Sequence, residues 1–245
     1  MPGYRRFRPD GELASFVEHF WTVEWDIDEP VVREVLPHPS VHLVLERSRS
    51  RLVGVQTGRF TRRLEGRGRV LGVKFRPGGF RPFAGHAVSR LSDRTLPLAE
   101  ALGRDAGALE ELALARADPA AAFDLVQAFL HRRRPVRDET AELVGRIVGR
   151  AASDCEITRV EQLARAFDLG ARALQRLFDE YVGVSPKWVI QRYRLHEAVE
   201  RIAAGRAVDW ATLALDLGYA DQAHFIRDFR RLVGRSPAVY ERALG

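Results

Sequence analysis

The chain has 245 residues, enough for one large domain or two ordinary ones, and its 46% apolar and 29% charged residues read as globular and exclude a disordered or fibrous protein. No run of 18 apolar residues is present, the opening MPGYRRFRPDGELASF has no apolar signal core, and the lone Cys155 allows no internal disulfide, so the expectation is a cytoplasmic protein with no membrane partner. The formal charge of +6 suggests nucleic acid, but 1–135 hold 22 Lys+Arg against 17 Asp+Glu and 136–245 hold 17 against 16, so a DNA-binding argument must rest on local placement.

The first hundred residues read mainly as strands. ELASFVEHF (12–20) spaces Leu13, Phe16, Val17 and Phe20 as on a helix face. FWTVEWDI then alternates Trp21, Val23, Trp25 and Ile27, the pattern of a half-buried strand. SVHLVLE, RLVGVQT and RVLGVKF are short β-branched runs among glycines 54, 58, 66, 68, 72, 78 and 79, which predicts a small sandwich or barrel. From about residue 97 Ala and Leu recur at helical spacing, with breaks at Gly103–Gly107 and at Asp118-Pro119. Asp118 suits an N-cap and Pro119 the first turn. HRRRPVRD (131–138) is a candidate linker. Beyond it the pattern predicts helices over 138–151, 158–167, 171–181, 186–204, 208–216, 221–232 and 237–243. The fold class is therefore α+β in two domains: 1–132, β-rich with a helical end over about 97–132, and 136–245, all-α.

The all-α part repeats itself. Leu174, Arg176, Phe178, Gly183 and Ser185-Pro186 match Phe225, Arg227, Phe229, Gly234 and Ser236-Pro237 at an offset of 51, while Leu163-Ala164 match Leu213-Ala214 at an offset of 50. The second copy thus has one more residue in its turn. Each copy reads as a short helix, a turn containing Gly170 or Gly218, and a longer helix, which is the helix-turn-helix signature. In the longer helices Leu174, Leu177, Phe178 and Tyr181, and then Phe225, Phe229 and Leu232, form buried stripes. Arg172, Gln175 and Arg176 lie off the first stripe, and Gln222, His224 and Arg227 off the second. Arg and Gln suit bidentate contacts to guanine and adenine in the major groove, so these six are the candidate base readers. Lys187, Arg192, Arg230, Arg231 and Arg235 are candidate phosphate contacts. Asp221 suits the second N-cap. Between the copies PKWVIQRYRLHEAVERIAAG predicts one long helix, with Pro186 in its first turn, Gly205 at its stop and an apolar stripe of Trp188, Leu195, Ala198, Val199 and Ile202. A rigid pair of such units can enter two successive major grooves about 34 Å apart.

VEQLARAFDLGARALQRLFDEYVGVSP, QRYRLHEAVERI and ALDLGYADQAHFIRDFRRLVGRSP resemble the AraC/XylS family of bacterial transcription regulators over about 136–245. The resemblance implies two helix-turn-helix subdomains joined by a linker helix, asymmetric binding to double-stranded promoter DNA and contact with RNA polymerase. The first unit departs from it: Gly170 and Ala171 stand where the family often has Ser. The N-terminal half resembles a poorly characterised sensor-like module found ahead of such domains. That implies a cupin-like β-structure, a barrel or sandwich, that takes an unknown small-molecule effector or pairs two chains into a homodimer. Trp21, His38, His42 and Arg76 are the candidate effector-binding residues.

Other constellations point elsewhere. His38, His42, Glu46 and His86 suggest a metal-dependent cupin-like enzyme fused to a DNA-binding module, but the usual His-x-His pair is absent; a sheet histidine bonded to backbone or water is favoured, and no metal or cofactor is expected. Eight arginines in 47–69 face only Glu65 within that segment and are read as solubilising exposed strands. Trp21 and Trp25 are read as core or interface. Cys155 is read as an inert thiol in preference to a methyl acceptor of a repair protein. No phosphate loop, nucleophile elbow or Cys-His zinc spacing occurs, so no enzyme activity is expected.

Overall fold

The computed structural model describes residues 3–133, 135–204 and 209–243. Six strands form one antiparallel sheet: β1 (Gly3–Phe7), β2 (Val17–Val35), β3 (His42–Leu45), β4 (Arg51–Val53), β5 (Phe60–Phe75) and β6 (Thr95–Pro97). Their order is β1-β2-β5-β3-β4-β6, so β1 and β6 are the edges. The long strands β2 and β5 make the spine of the sheet, with a register break between Ile27 and Val31.

The helix expected over 12–20 does not form. A 3-10 turn covers Gly11–Ser15, and β2 begins at Val17. The four apolar residues are nevertheless all buried. A register shift between Val17 and His19 explains the helix-like spacing. The extra residue lets Val17 and Phe20, three apart, face Phe75 and Val73 on the same side of the sheet.

One face of the sheet carries Phe20 and Phe7, both 5.1 Å from the ring of Phe123. This side is closed by α2 (Leu98–Leu102), α3 (Asp105–Leu114) and α4 (Pro119–Arg132), after the short α1 (Arg81–Ala84). Asp118 caps α4 through Ala120 N and Ala121 N, and Pro119 occupies its first turn, as the sequence predicts. On the other face Trp21 and Trp25 lie flat over Gly72 and Gly68 of β5, where an added Cβ would come within 2.1 Å of each indole. Of the eight arginines in 47–69, Arg51 and Arg62 pair with Glu46, Arg59 with Glu34, Arg63 with Glu65 and Arg69 with Glu24. Counting carboxylates only inside that segment therefore understated their pairing.

Seven helices follow: α5 (Glu139–Ser153), α6 (Val160–Arg165), α7 (Ala171–Tyr181), α8 (Pro186–Ala203), α9 (Trp210–Asp216), α10 (Gln222–Val233) and α11 (Pro237–Arg242). The helix stop expected at Gly205 lies outside the described residues. Two apolar clusters hold these helices. The first joins α5, α6, α7 and the start of α8, and takes Val55 from the sheet half. The second joins the rest of α8 to α9 and α10, with Leu36 packed against it.

The two helix-turn-helix turns share one geometry. In the first, Asp168 is left-handed (φ 53°) and Leu169 N donates to Ala164 O at 3.0 Å. In the second, Gly218 is left-handed (φ 76°) and Tyr219 N donates to Ala214 O at 2.9 Å. Asp168 and Gly218 are equivalent at the offset of 50, and the extra residue follows them. Gly218 also lies against Thr158, 2.4 Å from where its Cβ would stand. Gly218→Ala should therefore lose about 1–2 kcal/mol to the left-handed backbone alone, and more from the clash; chemical denaturation of the full chain measures it.

Candidate nucleic-acid interface

A recognition helix must bury one face and leave the other open at its N-terminal end. In α7, Leu174 and Phe178 are wholly buried and Leu177 and Tyr181 pack against the same cluster. Arg172, Gln175 and Arg176 are exposed and lie together at i, i+3 and i+4. In α10, Phe225, Phe229 and Leu232 are buried, while Gln222, Arg227 and Arg230 are exposed. At the offset of 51, Arg176 corresponds to Arg227, but Arg172 and Gln175 correspond to Ala223 and Ile226. The two faces therefore differ chemically and present different donors.

The helix starts differ as well. Asp221 accepts from His224 N at 2.7 Å and caps α10. Gly170 is the N-cap of α7 and supplies no side-chain bond. The His224 ring is half-buried, edge-on to Tyr219 at 5.1 Å and 3.8 Å from Asp228. Of the candidate phosphate contacts, Lys187 and Arg230 are exposed. Arg231 is 65% exposed and 3.2 Å from Asp228. Arg235 turns toward Glu34 of β2 at 3.9 Å and lies over Tyr240.

Arg192 departs from the sequence reading. It is 1% exposed, its Nη2 donates to Thr57 O at 3.1 Å, and its guanidinium lies 4.6 Å from the Trp188 ring centre. Thr57 of the sheet half lies against it, so in this structure it does not face solvent, where a phosphate contact would need it. Periodicity within α8 carried no sign of this, because the covering carbonyl lies 135 residues upstream.

The four candidate effector residues do not converge. Trp21 and His42 are neighbours, with ring centres 6.3 Å apart. His38 instead stacks on His196 of α8, at 4.4 Å and 21° between planes. Arg76 is exposed and bonds Ala14 O. Among the described residues no group of three His, Cys, Asp or Glu is placed to hold a metal. Sequence reasoning missed His196 and Tyr193, which with His38, Cys155 and Glu200 line a cavity of about 480 Å³ between the end of α5, α8 and the sheet half. Burial, and then the Lys74 ammonium, hold His38 down to about 3. Burial, and then the Arg192 guanidinium, hold His196 down to about 4. Burial pushes the Tyr193 phenol up to about 12.

Two family models match the chain. A domain of unknown function, DUF6597, matches residues 5–97, and a helix-turn-helix domain matches residues 163–243, from α6 through α11. The helical half therefore contains a helix-turn-helix domain, built here as two units on a common helix. An uncharacterized HTH-type transcriptional regulator of Haemophilus influenzae is 28% identical over 85 residues, 35% of this chain and 28% of that protein. The match thus spans under a third of that relative. Among solved structures, ToxT of Vibrio cholerae aligns over 99% of this chain and 97% of its own, with a TM-score of 0.40 and 12% identity. Unsaturated fatty acid bound ToxT aligns over 98% and 94%, with a TM-score of 0.37 and 13% identity.

Asp221→Ala should cost about 1 kcal/mol of stability, whereas Gly170→Ser should add a few tenths, about what a serine cap gains over glycine; denaturant midpoints of the full chain check both. The histidines set a pH dependence. His38 and His196 stay neutral when folded and protonate near their ordinary 6.5 when released. The unfolded chain then binds more protons, so stability holds above pH 6.5 and falls below it, by about 1.4 kcal/mol per pH unit for each histidine. The midpoint of His196→Gln, followed from pH 7.5 to 5, should fall less steeply than that of the unchanged protein.

Proposed function

We propose that this chain is a sequence-specific DNA-binding transcription regulator whose α7 and α10 enter successive major grooves of promoter DNA. The observation that carries the reading is the pair of helix-turn-helix units built on one helix, each with an exposed arginine at the same place, Arg176 and Arg227. The division into 1–132 and 136–245 belongs to this reading, as does the assignment of Arg172, Gln175 and Gln222 to bases and of Lys187, Arg230 and Arg231 to phosphates. The α8 helix of 18 residues is about 27 Å long, which suits the spacing of two grooves on one face. The unequal exposed faces favour two unlike half-sites over a palindrome.

The sheet half acts as the sensor. Its support is contact with both units: Arg81 pairs with Glu180 and Ser92 bonds Gly183 O on the first, while Glu34 meets Arg235 and Leu36 joins the core of the second. An effector in the cavity beside His38 and His196 would bias how the two units are held, by as much as its affinity differs between the arrangements. Contact with RNA polymerase and pairing through the sheet half complete the reading.

Purified protein mixed with genomic fragments, with the retained fragments sequenced, should yield a recurrent site of two different blocks about one helical turn apart. Arg176→Ala and Arg227→Ala should each cost about 1–3 kcal/mol at that site and relax the sequence in one block only. Equal weakening on site and random DNA would reassign these residues to phosphates.

A further inference from the structure

One short segment of the sheet half runs along the second helix-turn-helix unit. At the end of β2 and just beyond it, three alternate residues each meet that unit, as an extended chain allows. Glu34 stands 3.9 Å from Arg235. Leu36 packs against the core of α8, α9 and α10. His38 stacks on His196 of α8, with ring centres 4.4 Å apart and 21° between planes. Of these three contacts, only the last is made by two side chains that ordinarily titrate near neutrality.

The surroundings of the stack suit neutral rings. His38 and His196 line the same cavity, and Nε2 of His196 is buried with no partner among the described residues. Charging that ring puts an N–H on both nitrogens, and this one finds no acceptor. Facing His38 are Lys74 of β5, His42 of β3 and Glu18 of β2. Glu18 is already engaged, 3.0 Å from Lys74 and 3.4 Å from His19. His42 lies in register beside Lys74 and is itself held down to about 3, by burial and then by that ammonium. Facing His196 are Arg192, one turn before it on α8, and Lys74, with the Pro37 carbonyl acting the other way. Tyr193, 6.2 Å from His196, stays neutral, its phenol pushed up to about 12 by burial. Of the carboxylates lining the cavity, Glu197 is shared by Arg194 and Arg201, and Glu200 is exposed, where solvent screens it. A charge on either ring is therefore poorly answered, and charges on both repel across the stack.

We propose that the His38–His196 stack is a proton-operated latch: with both rings neutral it holds the 34–38 segment on the second helix-turn-helix unit, and in acid it lets that segment go. The first unit keeps its ties, since the Arg81–Glu180 pair, the Ser92–Gly183 bond and the packing of Val55 involve no histidine. Release also parts Glu34 from Arg235 and leaves that arginine open to another anion. The rings are held down to about 3 and about 4 when stacked and titrate near 6.5 when released. The released state thus binds more protons below pH 6.5. At pH 5 each histidine favours release by about thirtyfold, and the two together by about a thousandfold. The latch belongs to the junction alone and its test needs no DNA, so it stands or fails apart from the function proposed above.

Spin labels on Val35→Cys and Leu215→Cys, both exposed positions, report the distance from the segment to α9 in the full chain carrying Cys155→Ser. Distance and circular dichroism are followed together from pH 7.5 to 5. The distance should lengthen below pH 6.5 with secondary structure kept. The double variant His38→Gln, His196→Gln should stay closed throughout, because neither glutamine takes a proton. The latch is overturned if the distance does not change, if it changes only together with loss of secondary structure, or if the double variant opens at the same pH as the unchanged protein. Should the double variant already be open at pH 7.5, the single variants decide: each should open with about half the steepness in pH, one proton in place of two, and full steepness in both overturns it.

Discussion

The helical half depends on α8 belonging to two cores at once. Val189 and Ile190 are buried with α5, α6 and α7, while Leu195, Ala198 and Ile202 are buried with α9 and α10. Neither unit can close its apolar interior without this helix. A flexible tether would leave the separation and angle of the two units to chance. A helix fixed in both interiors sets them through side-chain packing, which tolerates little displacement. The exposed arginines of α7 and α10 are therefore held in a defined relation by the fold itself.

The same helix carries the contact with the sheet half. Arg192 and His196 are one turn apart on α8; Arg192 meets Thr57 and His196 stacks on His38. Burial and Arg231 lower the guanidinium to about 10, so that it stays charged, and burial and Arg192 lower the imidazole to about 4, so that it stays neutral. Polar groups enclosed in this way make a junction that is costly to disturb by halves. Such a junction favours two discrete arrangements over a continuum, which suits the proposed role of the sheet half in setting how α7 and α10 are presented.

Local pattern carried the helices well. The boundaries of α7 and α8 were legible because a Gly-x-Ser-Pro phrase ends one and opens the other, with Ser185 capping and Pro186 in the first turn. Asp118 and Asp221 were legible as caps because an aspartate ahead of a periodic run satisfies free backbone N–H groups. The pattern of Leu13, Phe16, Val17 and Phe20 misled about conformation but not about burial, since a bulged strand places residues three apart on one face. The turn glycines misled in a different way. Gly170 looked like the partner of Gly218, yet Asp168 takes the left-handed position and Gly170 stands where Asp221 caps. The fate of Arg192, and of His38, was not legible at all. Each is decided by a residue more than a hundred positions away, and no periodicity reports so distant a neighbour.

An uninterrupted helix shared by two interiors also restricts how the protein can change. Each residue added to α8 between Ile190 and Leu195 would advance the second unit by about 1.5 Å and swing it about 100° around the axis. A single insertion would thus turn α10 away from the side on which α7 stands. Three or four together would nearly restore the phase, at the cost of lengthening the span by about one turn. The spacing of the two units is in this sense quantised, and substitution in their exposed faces is open to gradual change where their separation is not.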